Sequence, residues 1–285
     1  MKMSALKNLF IWPVLVITGF FSLLPLIWLL LSAFVPENSL ALLKPNLKFL
    51  PTLENFSGLV QASGRSTGTI QVSRIWIWFF NSILLAVGGT FLHLIIDSMA
   101  AYAFARRSFP GRNLLFGLIV GSLMLPQMVT LVPLYLLLIR LGINNHLAGV
   151  LLPGLADAIG IFLLTQFMRT LPIDMEDAAR LDGISEWRLY TQIIIPLSVP
   201  GLTALTIFSF QGIWNQFVLP LIVLQRSQSF TLQVGLSYLS QTEFGFHYGW
   251  IMAGAFIMIL PVFMVFFLFQ KNLDKGLRIY SIHPS

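Results

Sequence analysis

Long apolar runs separated by short polar stretches set the rhythm of this sequence. Nothing charged lies between Asn8 and Pro36, and apolar residues fill segments near 10–35, 76–105, 114–139, 147–168, 200–223 and 249–270. About 20 helical residues, rising roughly 1.5 Å each, cross the roughly 30 Å hydrocarbon core of a bilayer. Every one of these runs is long enough. The pattern predicts an all-α, polytopic membrane protein with six transmembrane helices. The first run exceeds the roughly 7–15 residues of a signal-peptide core and lacks a convincing small-residue cleavage site, so it reads as a retained helix. Asp97 in the second run and Asp157 in the fourth do not disqualify those spans. A single acid costs only about 2.5–3.5 kcal/mol on insertion scales, and the surrounding Leu, Ile, Phe and Ala offset it.

Between the spans, the segment 36–74 is the main external loop, read as a partly ordered cap, and Gln225 to Tyr248 is a shorter external connection. No internal repeat or low-complexity tract divides the chain, so one membrane domain covers 1–285. One polar island departs from the pattern. It runs over 169–199 and contains "EDAARLDGISEWRLYTQIIIP" at 176–196. Its signals are helical: Pro172 precedes a start at Ile173-Asp174, and Asp174, Glu176 and Asp177 occupy a first turn where the helix dipole favours acids. Gly183 can take a left-handed conformation and end that helix, with Ile184 beyond it. Ser185 can cap a second short helix running towards Pro196. Two short helices joined at a glycine make a knob with apolar faces for docking and charges for orientation.

Composition sharpens this reading. The chain is 56% hydrophobic and 10% charged, against roughly 25% charged residues in soluble domains. Its net charge of +6 does not indicate nucleic acid, because the Lys and Arg stand singly at the edges of apolar runs rather than on one basic face. They set orientation instead, since Lys and Arg accumulate on the cytoplasmic side. With the N-terminus inside, the cytoplasmic set is Lys2, Lys7, Arg106, Arg107, Arg112, Arg169, Arg180, Arg188, Lys271, Lys275 and Arg278, eleven residues against six outside. Both termini and the island are then cytoplasmic. The absence of cysteine excludes disulfides and thiolate metal sites. No catalytic motif of the His-Glu-x-x-His or Gly-x-Ser-x-Gly type occurs, nor a Gly-x-x-x-x-Gly-Lys phosphate loop, so the chain reads as neither an enzyme nor an ATPase of that chemistry.

At the island the residues resemble a known family. Asp177-Ala178-Ala179, then Gly183, then Ile193, Ile195 and Pro196 stand at the spacing of the EAA motif, which marks permease subunits of ABC importers. Five of its seven positions are identical, with Asp177 in place of Glu and Ile195 in place of Leu. "IFSFQGIWNQFVLPLI", "FNS" at 80–82, "AAYAFARRSFPGR" at 100–112 and "PLY" at 133–135 look like the carbohydrate-uptake, maltose-type branch, and the resemblance covers nearly all of 76–270. The tail departs, since "GLRIYSIHPS" lacks the family's usual ending.

The resemblance implies the type I ABC-importer permease fold in the cytoplasmic membrane of a bacterium or archaeon. It makes 169–199 a coupling loop docked on an ATPase, with Glu176, Asp177, Ala178, Ala179, Asp182, Gly183, Ile193 and Pro196 as the coupling residues. It also implies the partners: a second permease subunit, two ATPase subunits that bind ATP and Mg, and an external solute-binding protein that delivers a carbohydrate. No cofactor is expected in this chain. Other solutes, such as glycerol phosphate or a polyol, and a stand-alone secondary carrier are the competing readings.

Polar residues inside the spans are candidates for the substrate pathway. Asp157, about 18 Å of helix from Arg169, would sit near the bilayer midplane, where an acid faces protein or water. It either accepts sugar hydroxyls or ties its span to a neighbour. Gln211 and Asn215 share one face of the fifth span beside Trp214. Amides and an indole suit a sugar, and they equally suit interhelical hydrogen bonding. His93 and Asp97, four apart on one helix face, form a structural pair or serve transport. Pro126, Pro153, Pro200 and Pro220 are expected to kink or break their helices.

Overall fold

The structure, a computed structural model, describes residues 2–36, 51–64, 74–239 and 247–281. Among the described residues all regular structure is helical. A chain in lipid must satisfy its backbone groups internally, and a helix does this within one segment. Five segments are long and apolar enough to cross a membrane: Ile11–Ala33, Arg74–Arg106, Leu147–Arg169, Val199–Val223 and Tyr248–Lys271. A pair of helices bent by 99° makes a sixth if the two together count as one span. The chain gathers into two compact units, Met1–Ile75 with Leu236–Leu260, and Trp76–Gly235 with Pro261–Ser285.

In the first unit, helix α1 (Lys2–Ala33) meets α2 (Glu54–Gly64), which lies within the loop expected to be external. The remainder of that loop, 37–50 and 65–73, lies outside the described residues. Asn55 fixes the junction: its buried amide donates to the carbonyls of Ala33 (3.0 Å) and Val35 (2.7 Å), satisfying acceptors that the end of α1 would otherwise leave free. Phe34, Phe56 and Phe256 close a mutual aromatic cluster with centroids 5.2–5.7 Å apart.

In the second unit, α3 (Arg74–Arg106) packs at its C-terminal end among Leu164, Met168, Tyr190, Ile194 and Leu205, with Ala101 and Tyr102 as its own contribution. Small residues permit the approach. A methyl group on Gly160 would lie 2.4 Å from Asp97 Oδ2 and 2.8 Å from Leu205 Cδ1, so only glycine fits there.

Three spans of this unit are interrupted. The third, expected as one span over 114–139 kinked or broken at Pro126, is α4 (Arg112–Ser122) and α5 (Gln127–Arg140), bent by 99°. Pro126 is the physical reason: it lacks an N–H and stands extended at the start of α5 (φ −62°, ψ 125°). The fourth span is α6 (Leu147–Leu151), a 3₁₀ turn at Leu152–Gly154 containing Pro153, and α7 (Ala158–Arg169). The fifth divides between Trp214 and Val218 into α11 (Val199–Trp214) and α12 (Val218–Val223). Pro200 sits in the first turn of α11, where a proline starts a helix rather than kinking it. Two helices complete the chain, α13 (Leu232–Leu239) and α14 (Tyr248–Ser281), and the tail expected to be atypical lies outside the described residues over 282–285.

Candidate functional site

The polar island folds as two short helices and a wider turn. Helix α8 (Asp174–Leu181) carries Asp174, Glu176 and Asp177 in its first turn. It ends as expected at Gly183, whose φ of 75° places it in the left-handed region. The Gly183 N–H donates to Arg180 O (3.0 Å) and the Ile184 N–H to Ala179 O (3.4 Å), the paired bonds of a Schellman ending. Ser185 begins α9 (Glu186–Leu189) through its backbone: its carbonyl accepts from Leu189 N at 2.9 Å, and its hydroxyl makes no capping bond. The chain then widens into a π-helical turn, Tyr190–Ile194, that contains Ile193, and closes in α10 (Ile195–Leu197) with Pro196 in its first turn.

Charges seat this element on α3. Glu176 is 1% exposed and pairs with Arg106 Nε at 2.9 Å and Arg180 Nη2 at 3.1 Å. Arg106 also donates to the carbonyl of Leu171, so one guanidinium holds both the approach to α8 and its first turn. Arg107 pairs with Glu186, which accepts from the Tyr102 hydroxyl as well (3.1 Å). The Tyr190 hydroxyl meets Ser98 Oγ at 2.7 Å. Burial raises the Tyr190 phenol above its ordinary pKa, and the Ser98 hydrogen bond offsets part of that.

Sequence reasoning did not single out this clamp. Its signal was present: Ser98, Tyr102 and Arg106 recur every four residues and share one face of α3. The outward side of the element mixes large apolar side chains with charges, among them Asp174 and Arg188. Leu181 is 90% exposed, and Ile173, Met175 and Trp187 are exposed with it, beside exposed Asp177, Ala178 and Asp182. Ala179 turns inward and is buried. The element is thus tied to α3 on one side and exposed on the other.

The candidates within the spans separate. Asp157 is the N-cap of α7, its carboxylate accepting from the N–H groups of Ile159 and Gly160, both at 3.2 Å. Asp97 Oδ1 accepts from Asp157 N at 3.0 Å. His93 bonds Ser209 Oγ at 2.6 Å and the carbonyl of Gly154. His93 and Asp97 share a face, yet the structure gives each its own partners across the unit and no bond between them. Trp214 is 1% exposed, stacked on Phe210 and edge-on to Phe79, so its ring is inside the protein rather than on a cavity wall. Gln211 is exposed and lines neither of the two large cavities of this unit. Asn215 lines one, of about 500 Å³, and Asp157 the other, of about 520 Å³. Among the described residues no cluster of His, Cys, Asp or Glu is arranged to hold a metal ion.

Comparison with known proteins bears on this geometry. Residues 97–279 match the family model described as binding-protein-dependent transport system inner membrane component. Along 93% of its length the chain is 34% identical to the arabinooligosaccharide transport system permease protein of Halalkalibacterium halodurans, covering 92% of that protein. Over 93% of its length it is 30% identical to the diacetylchitobiose uptake system permease protein of Streptomyces coelicolor, covering 83% of it. A crystal structure of a bacterial ABC transporter involved in the import of the acidic polysaccharide alginate contains a chain with the same fold, at a TM-score of 0.76 and 20% identity, with 95% of this chain and 98% of that one covered.

Proposed function

On the premise that this chain belongs to the family of binding-protein-dependent transport system inner membrane components, we propose that it is the permease subunit of an ATP-driven importer of sugars or oligosaccharides. It is a multi-pass inner membrane component of an ABC transport system. The observation that carries the mechanical part is the seating of α8: a buried Glu176–Arg106 pair ties it to α3 while Met175 and Leu181 of the same helix stay exposed. Closure of an ATPase dimer against that face would push α8, and the push would pass through Arg106 into a membrane-spanning helix. Force transmission requires such a rigid two-ended element.

In this reading two ATPase subunits hold ATP and Mg, a related permease completes the membrane part, and an external binding protein delivers the sugar. Both termini and the α8–α9 knob face the cytoplasm. Reporter fusions after Gly111 and Gly183 should report cytoplasmic, and those after Gly64 and Ser229 external; an external result at Gly183 would overturn the arrangement. The transport reading is checked in proteoliposomes containing the whole complex. Labelled arabinooligosaccharide or diacetylchitobiose should enter only with ATP and the ATPase subunits present, whereas ATP-independent uptake by this chain alone would make it a secondary carrier.

A further inference from the structure

The breaks of the third, fourth and fifth spans meet at one junction: Gln127 at the start of α5, Gly154 between α6 and α7, and Gln216 between α11 and α12 all line both large cavities. Beside it α3 runs unbroken for 33 residues. The interruption between α6 and α7 leaves the Gly154 carbonyl and the Asp157 N–H without helical partners, and inside a membrane such groups need partners from protein or water. Both partners come from α3. Asp97 Oδ1 accepts from Asp157 N at 3.0 Å, and His93 Nε2 donates to Gly154 O while its Nδ1 meets Ser209 Oγ of α11 at 2.6 Å. Two side chains one turn apart thus hold the break and tie it to the fifth span.

Asp97 is a costly residue for that task. It is 0% exposed, and its second oxygen, Oδ2, has no hydrogen-bond partner among the described residues. A buried acceptor without a donor is destabilising, so stability alone would favour a neutral side chain here. Gly160 lets α7 close over that oxygen, and the carboxylate therefore cannot shift unless α3 or α7 shifts with it. The same helix carries the knob, through Ser98 on Tyr190, Tyr102 and Arg107 on Glu186, and Arg106 on Glu176. Arg106 lies about 13–14 Å of helix rise from Asp97 and about 20 Å from His93. No glycine or proline stands between His93 and Arg106, so that stretch is a stiff link.

We propose that His93 and Asp97 are positioning residues for transport: they hold the α6–α7 break, and with it the cavity wall at Gly154 and Asp157, in the place that the knob sets for α3. Neither touches the solute in this role. The proposal rests on the reading of the chain as an importer permease and adds to it the side chains that carry the position of the knob to the break.

Two measurements on the whole complex test it. In proteoliposomes with labelled arabinooligosaccharide, Asp97→Leu and His93→Leu should lower the sugar imported per ATP hydrolysed by about 5–30-fold, the scale of one buried group left unpaired, with assembly and ATP hydrolysis retained. Asp97→Asn, whose amide oxygen still accepts from Asp157 N, should keep most of the wild-type ratio. Parallel loss of import, hydrolysis and assembled complex would make the residues merely structural and overturn the proposal, as would an unchanged ratio in both leucine variants. Hydrogen exchange of the complex in nanodiscs reads the break without transport. Glu176→Gln, which loosens the knob from α3, should speed exchange at 154–160 by about tenfold and leave α13 as in the wild type. Unchanged exchange at 154–160 in that variant overturns the link between knob and break. Absence of import by the wild-type complex overturns the importer reading, and the exchange result then decides whether knob and break are linked.

Discussion

The α8–α9 knob and the junction of the interrupted spans both concentrate polar residues in an apolar chain, and they treat them oppositely. In the knob, the charges that face α3 and Arg180 are matched within the protein: Glu176 with Arg106 and Arg180, Glu186 with Arg107, Asp177 with Arg180. What it leaves open includes large apolar side chains, Leu181 the most exposed, set among exposed Asp174, Asp182 and Arg188. At the junction the neutral amides of Gln127, Asn215 and Gln216 stay open, and the ionisable groups are used to close a helix break. A surface that leaves apolar side chains bare is suited to a protein partner, whereas one that leaves amides bare is suited to a hydroxylated solute or water. Under the proposed importer reading, the contrast separates a face suited to a partner from a wall suited to a solute or water.

The sharpest way to break the contrast is to remove one member of the buried pair. Arg106→Ala leaves Glu176 charged and 1% exposed, and losing one partner of a buried pair costs about 3–5 kcal/mol. Thermal denaturation of the purified complex should show that loss. Exchanging the two, Arg106→Glu with Glu176→Arg, should recover part of it, and equal stability of single and double variants would mean that the pair does not seat the knob. Gly183→Val should come next, at about 1–3 kcal/mol for a branched residue held at the observed φ of 75°. That variant should insert normally yet lose uptake; full uptake would remove the bend from the coupling path. The smallest effect belongs to the junction. Asp157→Leu removes the α7 cap and should cost about 0.5–2 kcal/mol, while Asp157→Asn, a comparably good cap, should change stability little and leave sugar preference intact. If Asn alters preference, the carboxylate contacts the transported solute instead of serving only as a cap.

How much of this was legible in the sequence depended on distance along the chain. The knob was legible because its determinants are local: the acids of the first turn and the glycine ending of α8 lie within ten residues. The clamp beneath it was not, because the pairing of Arg106 with Glu176 joins residues seventy apart, although the four-residue spacing of Ser98, Tyr102 and Arg106 was there to be noticed. Trp214 shows the limit in the membrane. A tryptophan beside two amides suggests a sugar platform, but helical position alone does not say whether it faces a cavity or, as here, Phe79 and Phe210. The third span was read as a single crossing with a kink or break at Pro126; hydropathy records length and not direction, so the proline signalled the break without giving its angle.

That right angle bears on how the protein is made. Helix α4 is 11 residues and α5 is 14, about 16 Å and 21 Å, so neither alone reaches across roughly 30 Å of hydrocarbon. During synthesis, however, the insertion machinery meets the whole stretch as one unbroken apolar message. The fold therefore separates two decisions in time: admission to the bilayer, made on total hydrophobicity, and the final path of the chain, made only when α7 and its neighbours are present to shelter the broken ends.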